Sequence, residues 1–262
     1  MQIEGKFLIE LDERLLPVAE THKGLVRRSQ TLLERLKEDI VSIQIKAGER
    51  LYERNVAERY KTSRTPAREA LMRLLEDGLV HRQGRAYVVE SLSMDLIEQL
   101  YDARECLETR AIAGVVAHMN RNNMATLQSS VAEMHATVAS SDIYAFNRID
   151  SQFHLHLARM SGNRFLYAQI ASLHDRVRMI RNGYFLSKER QLSAHAEHIR
   201  ILAALERGDV GVAQAEMRSH ILRAIDLLRM RQGESAPDVA GSGDAPALPL
   251  PLQTGALKKR PN

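Results

Sequence analysis

The stretch that most restricts how this chain can fold is Leu51–Leu79, LYERNVAERYKTSRTPAREALMRLLEDGL, where two short helical patterns meet at a tight turn. In the second pattern Ala67, Ala70, Leu71, Leu74 and Leu75 recur at helical spacing, so one face must pack inward, and Gly78 stops the run. Arg64, Thr65 and Arg68 gather beside that face in the first turn and a half. A helix laid in a major groove presents those N-terminal positions to base edges and phosphates, with arginine suited to guanine and threonine to phosphate or a thymine methyl. Ser63 stands where a cap is needed, and Pro66 is tolerated because the first N–H groups of a helix have no intrahelical partner. The preceding helix, about Arg54 to Tyr60, turns Val56 and Ala57 inward and leaves Arg54 and Lys61 for phosphates.

Two apolar runs flank a basic tip in Leu79-Val80-His81-Arg82-Gln83-Gly84-Arg85-Ala86-Tyr87-Val88-Val89, which is the signal of a hairpin. Behind a helix-turn-helix, a hairpin is a wing, and Arg82 and Arg85 at its tip would lie on the sugar-phosphate backbone or in a minor groove. Charge supports this placement. Residues 22–90 hold 15 Lys+Arg against 10 Asp+Glu, whereas residues 95–231 hold 17 against 15, so the basic excess sits with the DNA-reading element.

These segments resemble GntR-type bacterial transcription regulators of the FadR subgroup. The likeness is carried by Ala47-Gly48-Glu49-Arg50-Leu51, by Ser63-Arg64-Thr65-Pro66-Ala67-Arg68-Glu69-Ala70-Leu71 and by Leu74-Leu75-Glu76-Asp77-Gly78-Leu79-Val80. It implies that Arg54, Arg64, Thr65 and Arg68 contact operator DNA. Two departures stand out: the family usually has Pro before the glycine at Gly48, and a Gly-Val pair where Lys61-Thr62 stands.

At 262 residues and 44% hydrophobic content the chain exceeds one ordinary domain and can bury a sizeable core. The reading divides it into an N-terminal arm (1–22), a winged helix-turn-helix domain (23–92) whose base is a helix from Leu25 to Ile43, an all-α domain (95–231), and a disordered tail (232–262). The tail is rich in Gly, Ser, Ala and Pro and ends Lys258-Lys259-Arg260. No run approaches the roughly 18–20 apolar residues of a membrane span, and the N-terminus lacks a signal peptide's apolar centre, so no membrane role and a cytoplasmic location are expected. The single cysteine, Cys106, excludes an intramolecular disulfide and fits a reducing compartment. Beside Leu107 and Ala111 it reads as core filler.

Nothing between Asp95 and Arg231 alternates with period two. The expected fold is mostly α: the winged domain followed by a six-helix antiparallel bundle with helices near 95–119, 122–139, 142–161, 163–182, 188–207 and 210–231. Asn122-Asn123, Ser140-Ser141, Gly162-Asn163 and Gly208-Asp209 supply breaks.

Bundles build ligand and metal sites from inward side chains on facing helices. Asp150 and His154 are four residues apart and share one helical face. His198 lies about ten residues before the Gly208-Asp209 turn and His220 about eleven after it. At about 1.5 Å of rise per residue, an antiparallel hairpin brings the two to nearly one height. Three imidazoles and a carboxylate suit a divalent transition ion such as zinc, nickel or manganese, and an octahedral ion would keep two positions open for water or a bidentate carboxylate. His195, one turn from His198, is a possible substitute; His156 and His174 read as structural or surface residues.

The second domain is similar to the effector-binding FCD domain of the same regulators. The matching residues are Tyr101-x-x-Arg104-Glu105-x-x-Glu108, Asp150-x-x-Phe153-His154, Ser161-Gly162-Asn163, Glu197-His198-x-x-Ile201-Leu202 and Met217-x-x-His220. The resemblance implies that Asp150, His154, His198 and His220 hold a metal that in turn holds a small carboxylate effector. Arg104, then Arg178 and Asn163, are the candidate partners of that organic acid. The expected function is a dimeric regulator binding double-stranded operator DNA under effector control. The alternatives are a DNA-binding protein with a purely structural metal and an all-α metalloenzyme. Against the enzyme stands the lack of a nucleophile-base pair or phosphate loop, with Asp150 spent as a ligand.

Overall fold

The computed structural model describes residues 32–184 and 187–234. The expectations for the arm (1–22), for Leu25 in the base helix and for the basic end of the tail lie outside the described residues. Helix α1 (32–41) opens the winged domain and is followed by β1 (Arg50–Leu51), α2 (Glu53–Arg59), α3 (Arg64–Glu76), β2 (Val80–Gln83) and β3 (Ala86–Val89). The bundle follows: α4 (Met94–Ala117), α5 (Arg121–Ser140), α6 (Ile143–Met160), α7 (Arg164–Tyr184), α8 (Lys188–Glu206) and α9 (Val210–Glu234).

Leu36, Ile40, Val56, Ala67, Leu71, Leu74, Leu79 and Tyr87 form one apolar cluster, so α1, α2 and α3 share a core with the wing. Four details differ from the sequence reading. Helix α1 ends at residue 41, and Ile43 lies in the following turn at φ 64°, a conformation that stops a helix and that a β-branched residue rarely adopts. Leu75 is 37% exposed, one position past the inward stripe that Pro66 joins instead. Ser63 occupies the N-cap position of α3 but its hydroxyl makes no capping bond. Strand β1 pairs antiparallel with β3, giving a sheet of order β1-β3-β2; two residues are too short a run to show alternation.

The wing turns at Gly84-Arg85, between the paired Gln83 and Ala86. Gly84 has φ +61° and Arg85 keeps negative φ, the pattern of a two-residue hairpin with glycine first. Helix α3 ends in a double bond at its C-terminus: Gly78 N–H donates to Leu75 C=O (3.1 Å) and Leu79 N–H to Leu74 C=O (2.9 Å). That motif requires a left-handed residue, and Gly78 supplies it at φ +65°.

The bundle's helices begin on side-chain caps. Ser93, Asn120, Asp142, Asn163, Ser187 and Asp209 each accept from a backbone N–H of the first turn. Helix α4 packs on α6, α7 and α9, α5 on α6 and α8, and α8 on α9, around a core that includes Ile97, Ile112, Leu127, Met134, Phe153, Ile201, Met217 and Ile221. Helix α9 runs to Glu234, slightly beyond the expected start of the tail at residue 232. Cys106 is exposed rather than core filler, because the inward stripe of α4 runs through Tyr101, Arg104, Glu108 and Ala111. No helix among the described residues is long and apolar enough to cross a membrane.

Helix α7 joins the halves. Met179 packs against the winged-domain core, and Asn182 Nδ2 donates to Val41 C=O at 2.7 Å while its Oδ1 accepts from Asn147 of α6 at 2.8 Å. Lys37 reaches Asp77 at 2.7 Å and Asp175 at 2.9 Å. Arg176 donates to the carbonyls of Asp77 (2.8 Å) and Gly78 (3.2 Å), placing a cation on the negative end of the α3 dipole.

Candidate functional site

Asp150 and His154 lie on the inward stripe of α6 between Ile149, Phe153 and Leu157; His198 takes a core position of α8 between Ala194 and Ile201, and His220 one of α9 beside Ile221. A leucine or phenylalanine buried at such a position contributes roughly 1.5–3 kcal/mol, so four polar side chains there forgo core stability. Their ligand atoms all lie within 4.8 Å of one another, and all four residues are buried. The imidazoles of His198 and His220 are 4.6 Å apart between centroids, which is the equal height the α8–α9 hairpin produces. His198 Nε2 is 3.3 Å and His154 Nε2 3.7 Å from Asp150 oxygens.

Each ring is oriented through its other nitrogen. His198 Nδ1–H donates to Ala194 C=O at 2.7 Å, His220 Nδ1 lies 2.7 Å from Glu197 Oε2, and His154 Nδ1 lies 2.5 Å from Glu108 Oε2. The Nδ1 contacts of His198 and His220, and for His154 the Arg104 guanidinium, which can only donate to Nε2, leave the three Nε2 lone pairs toward the cluster, much as outer carboxylates and carbonyls hold metal-ligating histidines. His198 Nε2 is buried without a hydrogen-bond partner, a vacant lone pair that a cation would satisfy. Burial pushes His154 down to about 4 and pushes His198 and His220 well below the usual imidazole range, keeping all three neutral as ligation requires. Burial alone would raise Glu108, but Arg104 and His154 outweigh it and hold the carboxyl well below its ordinary value.

Two guanidiniums touch the same ligand atoms. Arg104 Nε donates to Glu108 at 2.6 Å and its Nη2 lies 3.0 Å from His154 Nε2, leaving Nη1 buried and unpartnered. Arg181 of α7 donates to Asp150 Oδ2, and burial lowers it to about 9, still a cation near neutrality. The other effector candidates sit elsewhere. Asn163 spends its Oδ1 on the N–H groups of Phe165 and Leu166, capping α7, while Arg178 pairs with Glu38 of α1 at 2.8 Å. Neither contact involves a member of the four-residue cluster.

Sequence reasoning missed Glu108, Glu197, Arg181 and His174. Glu108 is four residues after Arg104 and Glu197 directly precedes His198, so spacing carried a signal for those two. Arg181 and His174 carried none: Arg181 meets Asp150 across 31 positions, and His174 comes within 3.7 Å of Glu108 only through helix packing. His195 stands against His135, centroids 5.1 Å apart, and is no part of the four-residue cluster.

On the winged domain, Arg64, Thr65, Arg68 and Arg85 are exposed and have no hydrogen-bond or ion-pair partner among the described residues. Arg82 lies over the Tyr87 ring, 4.3 Å from its centre, and Arg54 pairs with Glu58 at 2.8 Å.

Residues 28–87 match the family described as bacterial regulatory proteins, gntR family, and residues 99–223 match the FCD domain. The chain is 28% identical over 210 residues to the Nta operon transcriptional regulator of Aminobacter aminovorans, covering 79% of this chain and 97% of that one. It is 24% identical over 212 residues to the HTH-type transcriptional repressor RspR of Escherichia coli, covering 79% and 92%. Among solved structures, E. coli McbR/YncC superposes with a TM-score of 0.71 at 21% identity, over 78% of this chain and 98% of that one, and shares its fold.

Proposed function

This chain belongs to the GntR-type transcription regulators, with a helix-turn-helix DNA-binding domain and an FCD domain, and from that premise we propose that it binds operator DNA as a dimer under the control of a small carboxylic acid. The regulators that it resembles are not enzymes. In this reading Arg64, Thr65 and Arg68 enter the major groove, Arg54 contacts phosphate, and Arg82 and Arg85 follow the backbone from the wing. Asp150, His154, His198 and His220 hold a divalent transition ion, zinc, nickel or manganese, which offers an effector carboxylate its open positions. Arg104, with one buried N–H group unspent, faces the same ligand. The regulator works where the DNA is, in the cytoplasm.

The observation that carries the proposal is the convergence of one carboxylate and three pre-oriented imidazoles within 4.8 Å, beneath the helix that caps the recognition helix. An effector can alter DNA affinity only by binding one arrangement of the domains better than another. Helix α7 is a route for that preference, because Arg181 touches Asp150 and Arg176 touches the end of α3.

The test is operator binding by fluorescence anisotropy with the metal-loaded chain and a panel of small carboxylates. A change in Kd of about 5-fold or more with one of them supports the proposal, since coupling free energies of that size are typical. One observation favours a structural metal instead: the cavity beside Asp150 and Arg181 is about 10 Å³, room for one water. Operator affinity indifferent to every carboxylate, with the ion bound, would select that second reading.

A further inference from the structure

Around the cluster, buried charges come in matched pairs. Glu108 is held by Arg104 at 2.6 Å, Asp150 by Arg181, and Glu197 by Arg190 at 3.2 Å, with the half-exposed Arg223 at 3.3 Å. Imidazoles that ligate an ion do so as neutral rings and add no charge. A divalent ion bound by Asp150 and the three imidazoles, the reading proposed above on which this inference rests, adds two positive charges to a buried and already balanced site. Uncompensated charge in a protein interior is costly, so the loaded site calls for two negative charges from outside.

Where the second of those charges would go is marked by unspent donors. Arg181 donates to Asp150 Oδ2, so an ion on the same carboxylate faces a guanidinium, and the two cations compete for one negative group. Beside Arg181 lies the same cavity of about 10 Å³, lined also by Arg190, Gln191, Asn147 and Phe146, so a ligand group larger than one water enters only by taking the place that Arg181 gives up when it leaves Asp150. Gln191 is 2% exposed, yet neither its Nε2 nor its Oε1 has a hydrogen-bond partner. A buried amide with both ends unmet is rare and points to a group that completes it. Tyr101 presents an unpartnered hydroxyl, its ring 5.5 Å from Arg104 Cζ.

We propose that the effector is a small dicarboxylate, one carboxylate on the metal and the other received by Arg181 and Gln191 after Arg181 has yielded Asp150 to the ion. Arg181 thus acts twice, as counter-ion of Asp150 and then as receptor for the ligand's far end. Two consequences separate this from a site that binds any carboxylate. A monocarboxylate leaves one positive charge unmet and binds more weakly. Removal of Arg181 strengthens metal binding, by eliminating the competing cation, while it weakens the diacid.

The experiment is calorimetry on the full chain loaded with nickel, titrated with malonate and separately with acetate, with metal content measured afterwards. Wild type is expected to bind malonate at least 10-fold tighter than acetate. In Arg181→Gln the metal binds as tightly or more tightly, and the malonate preference falls below 3-fold. Gln191→Leu, which removes two unmet buried polar atoms and so keeps the fold, retains the metal and loses most of the malonate affinity. Equal affinities in wild type, an undiminished preference in both variants, or binding of phosphate in place of malonate would each overturn the dicarboxylate assignment. Failure of wild type to bind any of nickel, zinc and manganese would overturn the metal reading itself.

Discussion

The DNA-reading face and the histidine cluster are made of the same kinds of side chain and are built in opposite ways. On the wing and on α3, Arg64, Thr65, Arg68 and Arg85 stand in water with nothing to hold them. A solvated guanidinium costs the fold little, and in the proposed reading its partner arrives later as phosphate or base. In the bundle, Arg104, Arg181 and Arg190 are each tied to a carboxylate, and each histidine to a second anchor. There an unpaired charge would cost several kcal/mol, so the sequence must supply a counter-charge for each one. Exposed recognition residues are therefore replaceable without loss of the fold, whereas the cluster's residues answer to stability and ligation together.

The largest effect that sharpens this contrast is pH on the chelator-treated chain. His154 titrates near 6.5 when unfolded and near 4 when folded, so the unfolded state binds more protons between those values. Stability is complete above pH 6.5 and is lost as pH falls toward 4. This one residue accounts for about 3 kcal/mol at about 1.36 kcal/mol per pH unit, and His198 and His220 act in the same direction. Urea midpoints at pH 7 and pH 5 read the larger part of it, about 2 kcal/mol; equal midpoints would break the picture of a neutral, desolvated cluster.

Next in size, His198→Ala should lower metal affinity by more than about 100-fold, beyond the 10–100-fold typical of losing an outer partner such as Glu197. Competition with a chromogenic chelator reads the difference. Arg68→Ala should weaken specific operator binding by roughly 1–3 kcal/mol with an unchanged melting temperature, the signature of a contact that exists only in the complex. The smallest is Gly78→Ala, expected to destabilise the winged domain by about 1 kcal/mol, because φ +65° disfavours a Cβ. The added Cβ would also meet Arg176 Nη2 at 2.1 Å and push that flexible cap aside. A melting temperature unmoved by that change would mean that neither the left-handed backbone at Gly78 nor the Arg176 cap matters to the end of α3.

Much of this architecture was legible in the chain because its information is local. Ser140-Ser141, Gly162 and Gly208 take positive φ or flank it at the helix ends they announce, and Asp142 and Ser187 are caps. The cluster was legible for a different reason: a four-residue spacing and a hairpin's symmetry both constrain height along a helix. What stayed hidden depends on which helix faces which. Arg181 meets Asp150, His174 meets Glu108, and Arg176 reaches back 98 residues to Gly78, and no periodicity encodes those meetings. Leu75 lies one position of rotation, about 100°, past the inward Leu74, and Cys106 lies two positions from both Arg104 and Glu108, on the opposite side of α4, differences that apolar neighbours in sequence do not reveal.

Lys37 bridges Asp77 at the foot of the recognition helix and Asp175 in the bundle, and Arg178 reaches across the same seam to Glu38. All of these groups are partly exposed, so raising ionic strength weakens the seam at the same time as it weakens protein–phosphate attraction. The slope of operator affinity against log salt then reports more than released counterions. Compared with Lys37→Met, in which the bridge is absent at every salt concentration, wild type should give the steeper line, and the difference between the slopes measures how firmly the bundle holds the reader.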